Sequence, residues 1–178
     1  METSTIKRIA LIGAESTGKT TLCRSLAMRC KTLWVPEYAR DFVTGNNRET
    51  SLEDIVAIAH KQLEHENELA ALANKLLFVD TEFILAKVWC EDIYRTVPSW
   101  IEEQISAHRY DLYLLTNNDL PWVPDPVRVN PQRRDYFYQL YLKELTDRQL
   151  PYEVISGRYE MRLYNATQAL QKHFPELS

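Results

Sequence analysis

Gly13-Ala14-Glu15-Ser16-Thr17-Gly18-Lys19-Thr20 fits the spacing G-x-x-x-x-G-K-[ST], and it dictates the local chain geometry around it. An apolar run, Ile9-Ala10-Leu11-Ile12, leads into the motif as a buried strand. Thr20 to Cys30 follows as a helix, with Leu22, Leu26 and Cys30 on one face. Strand, glycine loop and helix in that order make a phosphate cradle. The glycines let successive backbone N–H groups converge, and the helix N-terminus adds partial positive charge. The motif therefore predicts a P-loop that binds a nucleoside triphosphate through Gly13, Glu15, Ser16, Thr17, Gly18, Lys19, Thr20 and Thr21. Lys19 is expected on the β- and γ-phosphates and the Thr20 hydroxyl on Mg²⁺.

The rest of the chain alternates between strand-like and helix-like segments. Strands are predicted at Ile9–Ile12, Thr32–Val35, Leu76–Asp80, Leu112–Thr116 and Tyr152–Ile155. A long helix runs from Ser51 to about Asn74, with Asp54 completing a weaker form of the capping box. Its apolar face is read as Leu52, Ile55, Ile58, Ala59, Leu63, Leu69 and Leu72. Further helices are expected over Phe83–Tyr94, Ser99–His108, Arg134–Gln149 and Tyr159–His173. Five apolar strands separated by helices predict an α/β fold, a parallel sheet of five strands covered on both faces. With 178 residues and no internal repeat or linker, residues 1–178 read as one domain.

Composition narrows the partners. A formal net charge of −4 argues against nucleic acid, which rewards an excess of cations. No stretch reads as a membrane span or a basic-then-apolar leader, so no membrane partner is expected, and the location is expected to be cytoplasmic. Cys23, Cys30 and Cys90 form no C-x-x-C pair and are read as reduced thiols. The four histidines show no metal spacing and are read as lying on solvated helix faces. The oligomeric state, a homo-oligomer included, stays open.

Three further constellations carry chemistry. Asp80 ends the third strand, where P-loop folds place a Mg²⁺-holding aspartate; capping of the following helix is the alternative reading. Thr81 and Glu82 follow at once. After the second strand comes Pro36-Glu37-Tyr38-Ala39-Arg40-Asp41. Phosphoryl transfer to a hydroxyl needs a carboxylate near the acceptor oxygen, and Glu37 or Asp41 could be that base. Beyond the fourth strand lies the proline-rich stretch Trp122-Val123-Pro124-Asp125-Pro126-Val127-Arg128, followed by Arg133 and Arg134. It stands where small kinases carry a lid whose arginines, Arg128 foremost, neutralise the transferring phosphoryl group.

The segments GAESTGKTTL, VPEYARDFV, LLFVDTEF and NNDLPWVPDPVR, with Gly157-Arg158-Tyr159-Glu160-Met161-Arg162, resemble the ribosylnicotinamide kinase domain of the NadR regulators of NAD biosynthesis. The resemblance implies a nucleoside-kinase-like fold with a lid, and ATP and Mg²⁺ as cofactors. It implies phosphorylation of the ribose 5′-hydroxyl of nicotinamide riboside, a small-molecule substrate. On that reading Lys19, Glu37, Asp41 and Arg128 are catalytic, and Tyr38, Arg40, Asp41, Trp122 and Asp125 bind the acceptor. Trp122 is suited to stack on a pyridinium ring and Asp125 to offset its charge. Trp89, at helical spacing with Phe83 and Ala86, reads as core. The larger regulators also carry a helix-turn-helix and a nucleotidyltransferase domain. Neither is seen in this sequence, and no H-x-G-H stretch occurs. A kinase for another nucleoside or metabolite, and an ATP-binding switch without an acceptor, are the alternatives.

Overall fold

Five parallel strands in the order β2-β3-β1-β4-β5 form the sheet of this protein. It is a computed structural model, describing residues 6–46, 48–107, 110–125 and 130–177. The strands are β1 (Lys7–Ile12), β2 (Leu33–Val35), β3 (Leu76–Asp80), β4 (Leu112–Thr116) and β5 (Tyr152–Ile155). Between them run α1 (Lys19–Arg29), α2 (Tyr38–Gly45), α3 (Leu52–Ala70), α4 (Phe83–Tyr94), α5 (Ser99–Ser106) and α6 (Arg134–Asp147). The helix α7 (Glu160–His173) comes last, followed by a 3₁₀ turn, Pro175–Leu177.

Alternation along the strands builds two cores. Ile9 and Leu11 of β1, Leu76 and Phe78 of β3, and Leu112 and Leu114 of β4 pack with α1 and α7 on one face. Ala10, Ile12, Leu77, Val79, Tyr113 and Leu115 face the other way, against α3, α4, α5 and α6. Burial on both sides is why β3 and β4 read as unbroken apolar runs. β1 lies at the centre, between β3 and β4, with Leu11 opposite Asp80 and Ile12 opposite Leu115. The loop after β1 therefore opens where the chain order switches direction, the place at which open α/β sheets hold ligands.

Element ends depart from expectation by a few residues, each for a local reason. The capping box forms: Asp54 N donates to Ser51 Oγ (3.2 Å) and Ser51 N to Asp54 Oδ2 (2.8 Å). α3 stops at Ala70, so Leu72 is not on its apolar face but 74% exposed. Thr32 stays outside β2, its backbone N–H being used to close the end of α1 on Ala27 O at 3.0 Å, while its hydroxyl donates to Leu76 O at 2.5 Å. α6 ends at Asp147, α7 begins at Glu160, and α5 ends at Ser106. His108 lies outside the described residues. Two histidines do more than face solvent: His60 stacks on Trp100 with ring centroids 3.6 Å apart, and His65 meets Tyr38 edge-on at 5.5 Å. Trp89 packs against the apolar core as expected, and all three cysteines are free. Among the described residues no helix is long and apolar enough to cross a membrane.

Candidate nucleotide and acceptor site

The P-loop joins β1 to α1 and is held by its own glycines and one threonine pair. Gly18 caps α1 with φ 79°, a left-handed conformation that leaves the first N–H groups of the helix without a side-chain cap. Gly13 (φ 149°) lies so near β4 that a Cβ there would meet Thr116 Oγ1 at 2.2 Å. Thr17 and Thr116 share a hydroxyl–hydroxyl hydrogen bond of 2.7 Å, and Thr17 Oγ1 also donates to Ala14 O (2.8 Å). Lys19 Nζ folds back over the loop, donating to Gly13 O (2.9 Å) and Ala14 O (2.8 Å). Thr21 is exposed in the first turn of α1.

Asp80 stands beside this loop at the end of β3, fully buried. Its Oδ2 accepts from the Thr20 hydroxyl at 2.6 Å, while its Oδ1 has no hydrogen-bond partner. Burial, and then the negative charge of Glu37, push its carboxyl up to about 6. A buried carboxylate oxygen left unpaired next to a hydroxyl fits a small hard cation. Mg²⁺ accepts few protein ligands and completes its shell with water and phosphate oxygens. Among the described residues no cluster of three or more His, Cys, Asp or Glu could hold a metal by itself.

Glu37 is near enough to Asp80 for its charge to act on that carboxyl. Glu37 is the N-cap residue of α2, half-buried, with no side-chain cap bond to occupy it. Gln62 of α3 fixes this corner: it accepts from Tyr38 N (2.9 Å) and donates to Asp80 O (3.2 Å). Tyr38 packs edge-on to His65 and against Phe42. Asp41 is exposed on α2, with no ion-pair partner among the described residues.

The segment after β4 lies over the P-loop. Val123 N donates to Ser16 Oγ (2.9 Å) and Asn130 N to Glu15 Oε2 (3.1 Å). Arg134 donates to Leu120 O (2.9 Å) and Ser16 O (3.3 Å), so it ties the segment to the P-loop. Arg40 reaches across from α2 to Asp125 at 2.8 Å, which brings two of the expected acceptor residues together as an ion pair. Trp122 is half-buried and stacks on no other aromatic ring among the described residues. Arg133 turns away, to Asp92 of α4 (2.5 Å) and the faces of Tyr136 and Phe137. Arg128 lies outside the described residues.

Four supporting residues were not assigned roles from the sequence: Thr116, Gln62, Asp119 and Arg162. Arg162, only 3% exposed, donates to Gly157 O (2.9 Å), Thr17 O (3.0 Å) and Asn117 O (3.3 Å), and pairs with Asp119. One signal could have found it. It occupies the same helical stripe as Ala166, Ala169 and Leu170, an arginine on a face that is otherwise buried and apolar. Glu82 does not face the phosphates; it is buried and both of its carboxylate oxygens accept from Ile84 N at 2.9 Å, capping α4.

Comparison with known proteins bears on the family and the fold. The family model of the AAA domain matches residues 8–162. The trifunctional NAD biosynthesis/regulator protein NadR of Salmonella typhimurium is 32% identical over 129 residues, covering 69% of this chain and 31% of that protein. The chain thus spans under a third of the length of that relative. A crystal structure of a NadR protein in complex with NR superposes with a TM-score of 0.80 at 22% identity, over 95% of this chain and 51% of that one. A second NadR structure, in complex with NAD and AMP-PNP, gives 0.79 at 22% identity over 96% and 50%. With a P-loop that follows β1 of a 2-3-1-4-5 parallel sheet, and a family match across most of its length, the chain belongs to the AAA domain family of P-loop proteins.

Proposed function

We propose that this protein is an ATP-dependent kinase that phosphorylates the ribose 5′-hydroxyl of nicotinamide riboside, giving nicotinamide mononucleotide. The observation that carries the reading is a pair of acids: Asp80, bonded to Thr20 of the P-loop, and Glu37 at the start of α2, with no cap bond and near enough for its charge to act on Asp80. A nucleotide switch needs one carboxylate for its metal; a second, half-buried and uncapped, suits an acceptor hydroxyl. The similarity to NadR proteins supports the choice of acceptor and of ATP. A cytoplasmic location fits that role.

In this reading the amides of Gly13 to Thr20 and the N-terminus of α1 bind the β- and γ-phosphates. Lys19 leaves the carbonyls of Gly13 and Ala14 to neutralise them. Thr20 and Asp80 would hold Mg²⁺, which supplies charge neutralisation at the phosphates. Glu37 takes the proton of the 5′-hydroxyl, and Asp41, exposed on the next turn, grips the ribose hydroxyls. Tyr38, Arg40, Trp122 and Asp125 line the acceptor side, with Arg40 and Asp125 holding α2 and the overlying segment together. Arg128 serves the transferring phosphoryl group.

The test is ADP release against a panel of nucleosides with nicotinamide riboside included. Turnover should require an acceptor and be greatest with nicotinamide riboside. Glu37→Gln should lower kcat by about 10²–10⁴-fold, the usual contribution of a general base, whereas Asp41→Asn should mainly raise KM. Acceptor-independent ADP release would point to a switch, and preference for a neutral nucleoside to a general nucleoside kinase.

A further inference from the structure

A second cavity, of about 320 Å³, lies at the opposite end of the sheet, away from the P-loop. The end of α1, the turn entering β3 and the last two turns of α7 enclose it. Arg29, Lys31 and Lys75 line it, and no carboxylate does. All three cations are exposed, and none is in an ion pair among the described residues. That is a local excess of positive charge on a chain whose formal net charge is −4. Cations at the C-terminal end of a helix offset its dipole, which accounts for Arg29 and Lys31. It does not account for Lys75, which comes from a different element and borders the same space.

The turns that present the lysines are fixed. Lys31 (φ 50°) and Lys75 (φ 62°) both hold the left-handed conformation, costly for a residue with a side chain. The Thr32 hydroxyl ties the two turns together, donating to Leu76 O and accepting from Asn74 N at 3.0 Å. Behind the cations the wall is apolar, made by Leu76, Leu170 and Phe174, with half-buried Cys30 beside it. The volume is in the range of small-molecule sites.

We infer that this cavity binds a small phosphate monoester with an apolar body. The phosphate sits among Arg29, Lys31 and Lys75, and the body lies against Leu76, Leu170 and Phe174. Three unpaired cations favour a dianion over a carboxylate, and the apolar wall favours an ester over the free ion. The site is independent of the acceptor pocket and of the proposed kinase activity.

Cys30 makes a local reporter, because Cys23 and Cys90 are buried in the cores. The rate of Cys30 alkylation by iodoacetamide is followed against phenyl phosphate, inorganic phosphate and phenol. Phenyl phosphate should protect Cys30 saturably and more tightly than either other probe, and added salt should weaken it. Lys31→Glu and Lys75→Glu, at exposed positions, should each lower its affinity by roughly tenfold or more. Lys19→Ala should leave protection unchanged, which separates this cavity from the P-loop. Equal protection by inorganic phosphate would overturn the ester assignment. Absence of saturable protection at millimolar phenyl phosphate, or unchanged affinity in both charge reversals, would overturn the site.

Discussion

A methyl group placed on Gly13 would sit 2.2 Å from Thr116 Oγ1 and 2.9 Å from the Thr116 carbonyl oxygen, at a φ of 149° that disfavours any side chain. The backbone oxygen cannot rotate away, so either β4 or the P-loop must move. Gly13→Ala should therefore destabilise the protein by roughly 2–4 kcal/mol, combining overpacking with backbone strain, and should abolish nucleotide binding. Gly45→Ala is the control: a Cβ there meets nothing within 4 Å, in the last turn of α2. That variant should be neutral or up to about 1 kcal/mol more stable; urea unfolding of the pair decides it. Lys19 makes the complementary case. Its ammonium donates to the carbonyls of Gly13 and Ala14 from a part-buried position, so Lys19→Ala should shift Tm by no more than a few degrees while removing turnover. Wild-type ADP release in that variant would sink the phosphate role assigned to Lys19.

At the scale of elements, α7 ties the nucleotide end of the fold together through one side chain. Arg162 joins the P-loop (Thr17 O), the end of β4 (Asn117 O) and the turn after β5 (Gly157 O), with Asp119 as its counter-ion. Arg162→Met keeps the volume and removes every donor, leaving three carbonyls and a carboxylate to find water. A loss of about 3 kcal/mol, or roughly 6–12 °C in Tm, is expected, together with a raised KM for ATP. An unchanged Tm would show that these bonds only replace bonds to water. Arg162 also marks the limit of what the sequence makes legible. The P-loop, the strand-terminal Asp80 and the capping box at Ser51 are local patterns, complete within a few residues, and all three are found in place. Apart from Gly157, Arg162 meets partners 43 to 145 residues away, and Arg40 meets Asp125 across 85, so no spacing announces either. The five parallel strands were legible from apolar runs, whereas the ends of α3 at Ala70 and α5 at Ser106 were legible only to within a few residues. Of the site, the residue types and their strand-end positions were legible. That Arg40 would neutralise Asp125, and Arg133 pair with Asp92 instead of facing phosphate, was not.

For the whole molecule, the shifted carboxylates set how stability depends on pH. Asp54, Asp92, Glu144 and Glu153 are held below their usual range by Arg48, Arg133, Lys87 with Arg148, and Lys172 with His173 respectively, so their contribution is lost as pH falls. Glu82 works in the opposite sense. Burial raises it from 4.5 to about 8, against the bonds it accepts from the first amides of α4. The folded chain keeps a proton that the unfolded chain gives up above 4.5, so stability falls as pH rises from there through about 8. Asp80 adds a smaller loss of the same sign, ending near 6. Glu82→Gln keeps an oxygen that can accept from Ile84 N and removes the titration. The variant should therefore flatten the decline between pH 4.5 and about 8, with a difference from wild type on the order of a few kcal/mol at the upper end. Urea unfolding of both proteins across that range, without nucleotide or divalent cation, is the measurement. Parallel curves would mean that Glu82 is already ionised in the folded protein, with the amides of α4 outweighing the cost of its burial.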